Sequence, residues 1–278
     1  MSAIKILVAT HKEAQFPDSD IFLPIHVGKN VSDLDLPFQG DNTGDNISSK
    51  NGSYCELTAM YWAWKNLKNV DYIGLCHYRR YFNFHQRGLL FSDSEVISTS
   101  EFDKINLTIP DPKLLFEKHD IIVTKPIVLR YSLFTAYCVD HFSEDLNTVL
   151  NIIIEKKPEY KDSVFAVFKA SNRLSPCNMM IMKWKDYNDY CIWLFDVLGE
   201  AENQINISYY NNRQSRVWGF LAERLFNLYI YHNKLRKKEY PIYLIDDNLK
   251  NPSLATRLAR IVRFNLSFFI GKERTKTM

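Results

Sequence analysis

The sequence predicts an α/β domain with a mixed sheet and helices on both faces, on three observations. Apolar runs at residues 4–10, 72–76 and 120–124 have the length and unbroken hydrophobicity of strands buried on both faces. Between them lie longer segments with apolar residues every three or four positions, and such alternation belongs to a sheet packed against helices. Of 278 residues, 46% are hydrophobic and 24% charged, which excludes a disordered or fibrous chain.

Strand 4–10 ends in the polar Thr10-His11-Lys12. A second extended piece, 22–27, leads to Gly28, and 29–52, rich in Asp, Asn, Gly and Ser, reads as a loop. Ser53 with Glu56 three residues later has the capping-box pattern, and Leu57, Met60, Tyr61, Trp64 and Leu67 recur at helical spacing, which predicts a helix over 54–67. The apolar run 72–76 stops at His77-Tyr78-Arg79-Arg80. Residues 85–112 read as irregular. Strand 120–124, helices near 134–155, an inner strand over 176–182, helices at 186–198 and 214–232, and a last strand over 240–245 complete the pattern, which argues for a mainly parallel sheet.

The segment 71–82, DYIGLCHYRRYF, carries the most chemistry. Ligands of open α/β sheets bind at the carboxyl ends of strands. Two arginines, a histidine and two tyrosines leave such a strand together here, and paired guanidinium forks match a diphosphate. Lys50 and Asn51 precede a helix start, where free N–H groups favour an anion. Glu223 and Arg224 fall on or beside the apolar stripe of the late helix, as a general base or as an internal ion pair. Asn178 follows a turn and can offer its amide to a hydroxyl-rich ligand. The Asp18/Asp20 and Asp33/Asp35 pairs follow no convincing strand and read as solvated. The five cysteines include no C-x-x-C pair, so no zinc or redox site is signalled, and no Ser-His-Asp motif, P-loop or G-x-G-x-x-G is present.

Charge is unevenly placed. From Lys234 onward there are eleven Lys and Arg against four Asp and Glu, leaving 24 against 28 in the rest. On a helical projection Leu254, Leu258, Ile261, Val262, Leu266, Phe268 and Phe269 share one arc and Arg257, Arg260 and Arg263 the opposite side. This predicts an amphipathic helix, over 254–269, lying on an anionic inner leaflet. No run approaches the length of a membrane span and no secretion signal is evident, so the expectation is a cytoplasmic protein, peripheral on the inner face of the plasma membrane. A net acidic body argues against nucleic acid as partner.

The strings DNISSKNGSYCELTAMYWAWKNL, DYIGLCHYRRYF, CNMMIM and GFLAERL resemble DUF4422, a bacterial family found with capsule, exopolysaccharide and O-antigen genes and regarded as glycosyltransferases, some of them galactofuranosyltransferases. The resemblance implies a GT-A-like domain over 1–248, with 249–278 as a separate basic tail. It implies a UDP-sugar donor, a polyprenyl-linked or oligosaccharide acceptor, and no permanently bound cofactor. Most GT-A strands at this place end in Asp-x-Asp and hold a divalent metal. His77-Tyr78-Arg79-Arg80 departs from that, so the expectation is metal-independent, inverting transfer with cations on the leaving diphosphate. Thr10, His11, Lys12, Lys50, Asn51, His77, Tyr78, Arg79 and Arg80 would then bind the donor, and Asn178 and Arg224 the acceptor. Glu223 would be the base with Glu56 in reserve. A non-catalytic protein binding sugar nucleotide or carbohydrate on the same fold is the alternative.

Overall fold

The computed structural model describes residues 3–85 and 93–274. β1 (Ile4–Thr10), β2 (Phe22–His26), β3 (Tyr72–His77), β4 (Arg80–Phe82), β5 (Ser94–Ile97), β6 (Ile121–Thr124), β9 (Met180–Lys183), β10 (Lys237–Tyr240) and β11 (Ile242–Ile245) form a nine-stranded sheet, and β7 (Ile127–Val128) pairs with β8 (Arg173–Leu174) beside it. The main body runs β2-β1-β3-β9-β6-β10. Five of these strands point the same way and β9 alone runs against its neighbours. The expected strand over 176–182 is therefore the one reversed member of a mainly parallel body. β4 leaves the end of β3 through a tight hairpin and pairs with β11, which pairs with β5, so β4-β11-β5 forms a wing.

Side chains alternate across the body as the pleat requires. Leu7, Ile73, Leu75, Ile121, Val123, Met180 and Met182 face one core, and Ile6, Val8, Cys76, Ile122 and Ile181 the other. Gly74 sits where the strands close up: a Cβ there would stand 2.9 Å from Ile181 Cγ1 and from the Met180 carbonyl. The helices are α1 (Asn51–Tyr54), α2 (Leu57–Asn66), α3 (Pro112–Lys118), α4 (Leu133–Asp140), α5 (Ser143–Lys156), α6 (Lys161–Val164), α7 (Trp184–Gln204), α8 (Val217–His232) and α9 (Leu254–Arg274). The first core packs beneath α1, α2 and α4 to α8, and the second beneath α3, a 3-10 turn at Thr99–Lys104 and the wing.

Four local expectations change. Helix 54–67 is broken at Cys55, whose φ of 54° and ψ of −130° end α1 before α2 begins. No capping box forms there: Ser53 Oγ donates to the Lys50 carbonyl, and a capping box forms instead further along the chain, at Ser98 with Glu101. Within 85–112, whose 86–92 lie outside the described residues, β5 and that 3-10 turn are ordered. The strand over 240–245 is split at Pro241, which has no N–H for a ladder, so β10 joins β6 and β11 joins the wing.

The tail helix α9 is docked. Arg257, expected on the exposed basic side, is only 5% exposed. It donates to the Ser94 carbonyl at 2.9 Å and to that of Pro252 at 3.2 Å, and pairs with Asp93 at 3.4 Å. A guanidinium is seldom buried without such partners. Phe268 is buried on the same side, and Asn172 Nδ2 reaches Asn265 Oδ1 at 3.3 Å. Among the described residues no helix is long and apolar enough to cross a membrane.

Candidate active site

The carboxyl ends of β1, β3 and β6 meet the start of β9 along one edge of the sheet. Thr124 at the end of β6 donates to the Pro176 carbonyl at 3.1 Å and fixes the turn into β9. There Cys177 and Asn178 take φ of 74° and 52°. Two consecutive left-handed non-glycine residues are costly, and sites of this kind are where such strain accumulates. The turn is also tied from α8: Cys177 N–H donates to Glu223 Oε1 at 2.5 Å, and the Cys177 carbonyl accepts from His77 Nε2 at 2.8 Å. Since a carbonyl only accepts, Nε2 of His77 carries the proton. Asn178 Nδ2 donates to Glu56 Oε1 at 2.8 Å. Four elements thus converge on the turn 176–178, three of them on the dipeptide Cys177-Asn178.

Above this turn opens a cleft of about 580 Å³, lined by His11, Asn51, Cys55, Glu56, His77, Tyr78, Arg79, Arg80 and Arg216 with others. That size suits a nucleotide-sized ligand. His77 and Arg80 face each other across the β3–β4 pair, which leaves Tyr78 and Arg79 as the hairpin tip. Lys12 Nζ lies 5.3 Å and the Arg79 guanidinium 5.2 Å from the Tyr78 ring centre. Three guanidinium groups line the cleft against one carboxylate, Glu56. Burial first, then the charges of Lys12, Arg216 and Arg79, push the His11 imidazole below its ordinary range. Burial does the same to His77, against the opposing pull of Glu56. Both rings are held neutral by these surroundings, and an anion is the ligand this field favours.

Of the residues expected from sequence, His11, Asn51, Glu56, His77, Tyr78, Arg79 and Arg80 line the cleft. Lys12 lines an adjoining recess of about 240 Å³ with Tyr78, Arg79 and Asp246. Lys50 does not line the cleft: its Nζ pairs with Glu202 at 2.7 Å. The Thr10 hydroxyl is used on the turn, donating to the Lys12 carbonyl at 2.7 Å. Asn178 is buried and holds Glu56. Glu223 stands behind the turn with both oxygens engaged, the second by Arg224 Nη1 at 2.6 Å, and Arg224 also caps the Phe220 carbonyl at 3.1 Å.

Sequence reasoning missed Arg216. It precedes α8 and sets its Nε 3.3 Å from Cys55 Sγ. A cation at a helix N-terminus opposes the helix dipole, and that was the available signal. Gly219, one turn on, makes room for the strained Cys55: a Cβ there would lie 3.2 Å from its Sγ.

Asp18, Asp20, Asp33 and Asp35 are exposed and away from the cleft, and Asp35 pairs with Lys29 at 2.9 Å. Among the described residues no group of three or more His, Cys, Asp and Glu is placed to hold a metal. A cleft with three guanidiniums and a single carboxylate does not fit the carboxylate pair that would carry a divalent ion on a diphosphate.

The reversed strand, the cleft at the strand ends and the wing belong to a mixed α/β fold that this chain shares with a glycosyltransferase of known structure. The chain belongs to the DUF4422 family, described as a domain of unknown function, whose model matches residues 5–234. It is similar to the apo structure of WbbM, a bifunctional glycosyltransferase, with a TM-score of 0.79 and 31% identity over 91% of this chain. The match takes in 48% of that larger protein, so this chain spans about half its length. No curated protein matches the chain.

Proposed function

We propose that the protein is a glycosyltransferase that moves a sugar from a UDP-sugar to a hydroxyl of a saccharide acceptor. The observation that carries this is the guanidinium cluster Arg79, Arg80 and Arg216 around a single carboxylate at the strand ends, on a fold shared with a glycosyltransferase. The diphosphate lies against the cluster, and charge that develops on it as the anomeric C–O bond breaks is stabilised by fixed cations. The acceptor hydroxyl attacks the opposite face of the anomeric carbon, and the configuration inverts. Glu56 takes the proton, held in place by Asn178. Glu223 acts through the main chain at Cys177 as a positioning residue. A polyprenyl-linked saccharide fits the same reaction as acceptor.

The experiment is a melting-temperature and hydrolysis screen of the purified protein against UDP-sugars, with UDP-galactofuranose first, with and without EDTA. Stabilisation by one UDP-sugar that survives EDTA, with turnover on a saccharide acceptor, is expected. Stabilisation without turnover on any acceptor would leave a binding protein instead of an enzyme. Stabilisation removed by EDTA would overturn the role given to the arginines.

A further inference from the structure

The outer surface of α9 carries an unused apolar arc. At 100° per residue, Leu254, Phe269, Val262, Leu266 and Ile270 span roughly 160° of the helix, beside the docked side that holds Arg257, Ile261 and Phe268. All five outward side chains are between 41% and 60% exposed. Arg263 follows at the edge of the arc, with Arg260 beyond it. The helix therefore has three faces: one packed on the protein, one apolar and outward, one basic.

The neighbouring surface is basic as well. A cavity of about 200 Å³ between Arg260, Ile261 and Arg173 shares Pro126 and Arg173 with a larger one of about 620 Å³ that Lys234 also lines. No carboxylate lines the larger cavity. In the smaller one Asp93 is already engaged by Arg257 and Arg260. An apolar arc edged by Arg263, on a surface whose nearby cavities carry more cations than carboxylates, matches the acyl and phosphate layers of an anionic bilayer. Packing against a second copy fits less well, since the five side chains expose on the order of 500 Å², below the roughly 800 Å² that each partner commits to a standard protein interface.

We propose that α9 seats the protein on an anionic lipid bilayer, its outward apolar arc in the headgroup–acyl boundary and Arg263 at the edge of that arc on lipid phosphates. The docked face fixes the orientation. Arg257 binds α9 to β5, and Asn251 pairs with both main-chain groups of Val96 at 2.8 and 2.7 Å. The protein is thus held to the surface in one pose, not on a flexible tether. This inference does not depend on the transferase reading.

The test is flotation of the full chain with vesicles of phosphatidylcholine alone and of phosphatidylcholine mixed with phosphatidylglycerol. Roughly tenfold or greater preference for the anionic vesicles is expected, falling with salt. Val262→Glu with Leu266→Glu should abolish flotation at unchanged melting temperature. Arg263→Gln should weaken it by about fivefold, the contribution of one basic side chain near an anionic leaflet. Equal binding to both vesicle types, or no effect of Arg263→Gln, would overturn the proposal. So would an absence of flotation with dimerisation in sedimentation velocity that Val262→Glu with Leu266→Glu removes, which would place a second copy on this face.

Discussion

The two carboxylates of the site differ in what their loss should do, and the pair Glu56→Gln and Glu223→Gln separates their roles. Gln at 56 keeps an oxygen for Asn178 Nδ2, so the bond at 2.8 Å survives and stability should change by less than about 1 kcal/mol. What it loses is the capacity to take a proton, worth about 10²–10⁴-fold in kcat for a general base. Glu223 carries two charge-assisted bonds, from Cys177 N–H at 2.5 Å and Arg224 at 2.6 Å, on side chains that are largely buried. Its replacement weakens both and leaves Arg224 without its counter-charge, at a cost of about 1.5–3 kcal/mol. For a domain of this size that lowers the melting temperature by roughly 3–10 °C. The assays are thermal unfolding, UDP titration and single-turnover transfer on the same preparations. Expected are a stable, UDP-binding Glu56→Gln with turnover nearly gone and a destabilised Glu223→Gln with measurable turnover. The reverse pattern, with Glu223→Gln stable and inert and Glu56→Gln active, would refute the assignment of the base.

Three further outcomes follow from the site. Arg80→Ala and Arg216→Ala should each weaken UDP binding by about 10–100-fold, the loss of one charge-assisted phosphate contact, read by calorimetry. A variant that keeps wild-type affinity would remove that residue from the diphosphate site. EDTA should leave the UDP-induced rise in melting temperature unchanged, because the guanidinium cluster carries the diphosphate charge. Stability should fall with acidity: burial lowers the pKa of His77, so the unfolded chain binds a proton below the ordinary histidine pKa of about 6.5 that the folded chain refuses. The contribution is present above that pH and is lost progressively below it. The difference between urea midpoints at pH 7.5 and 5.5 should shrink in His77→Gln, whose amide can still donate to the Cys177 carbonyl, and an undiminished difference would assign the effect to other groups.

Much of the centre of the fold was legible because the signals there are local. The apolar run of β3 ends in four polar or aromatic residues, and a strand that must stop at an edge leaves its last side chains in the cleft, as it does with His77, Tyr78, Arg79 and Arg80. What was not legible depends on contacts distant in sequence. The break at Cys55 needs the space left by Gly219, more than 160 residues away, and a Ser with a Glu three residues later looks the same whether or not the helix continues. β5 is short and half polar, and it is a strand because β11 lies beside it. A helical projection of α9 sorts side chains as if one medium met each side. It has no way to see that Asp93 and the Ser94 carbonyl draw Arg257 inward, which turns two faces into three.

The turn before β9 also limits how the chain can vary. Because β9 alone is reversed, its entry lies at the edge where its neighbours exit. Cys177 spends its N–H on Glu223 and its carbonyl on His77, while the next residue spends its side chain on Glu56. Three side chains from three elements are thereby spaced by the geometry of two residues. Length changes in the surface connections move only what they connect. Adding or removing one residue here would shift all three partners together, so this dipeptide works as a common ruler whose length the site cannot do without.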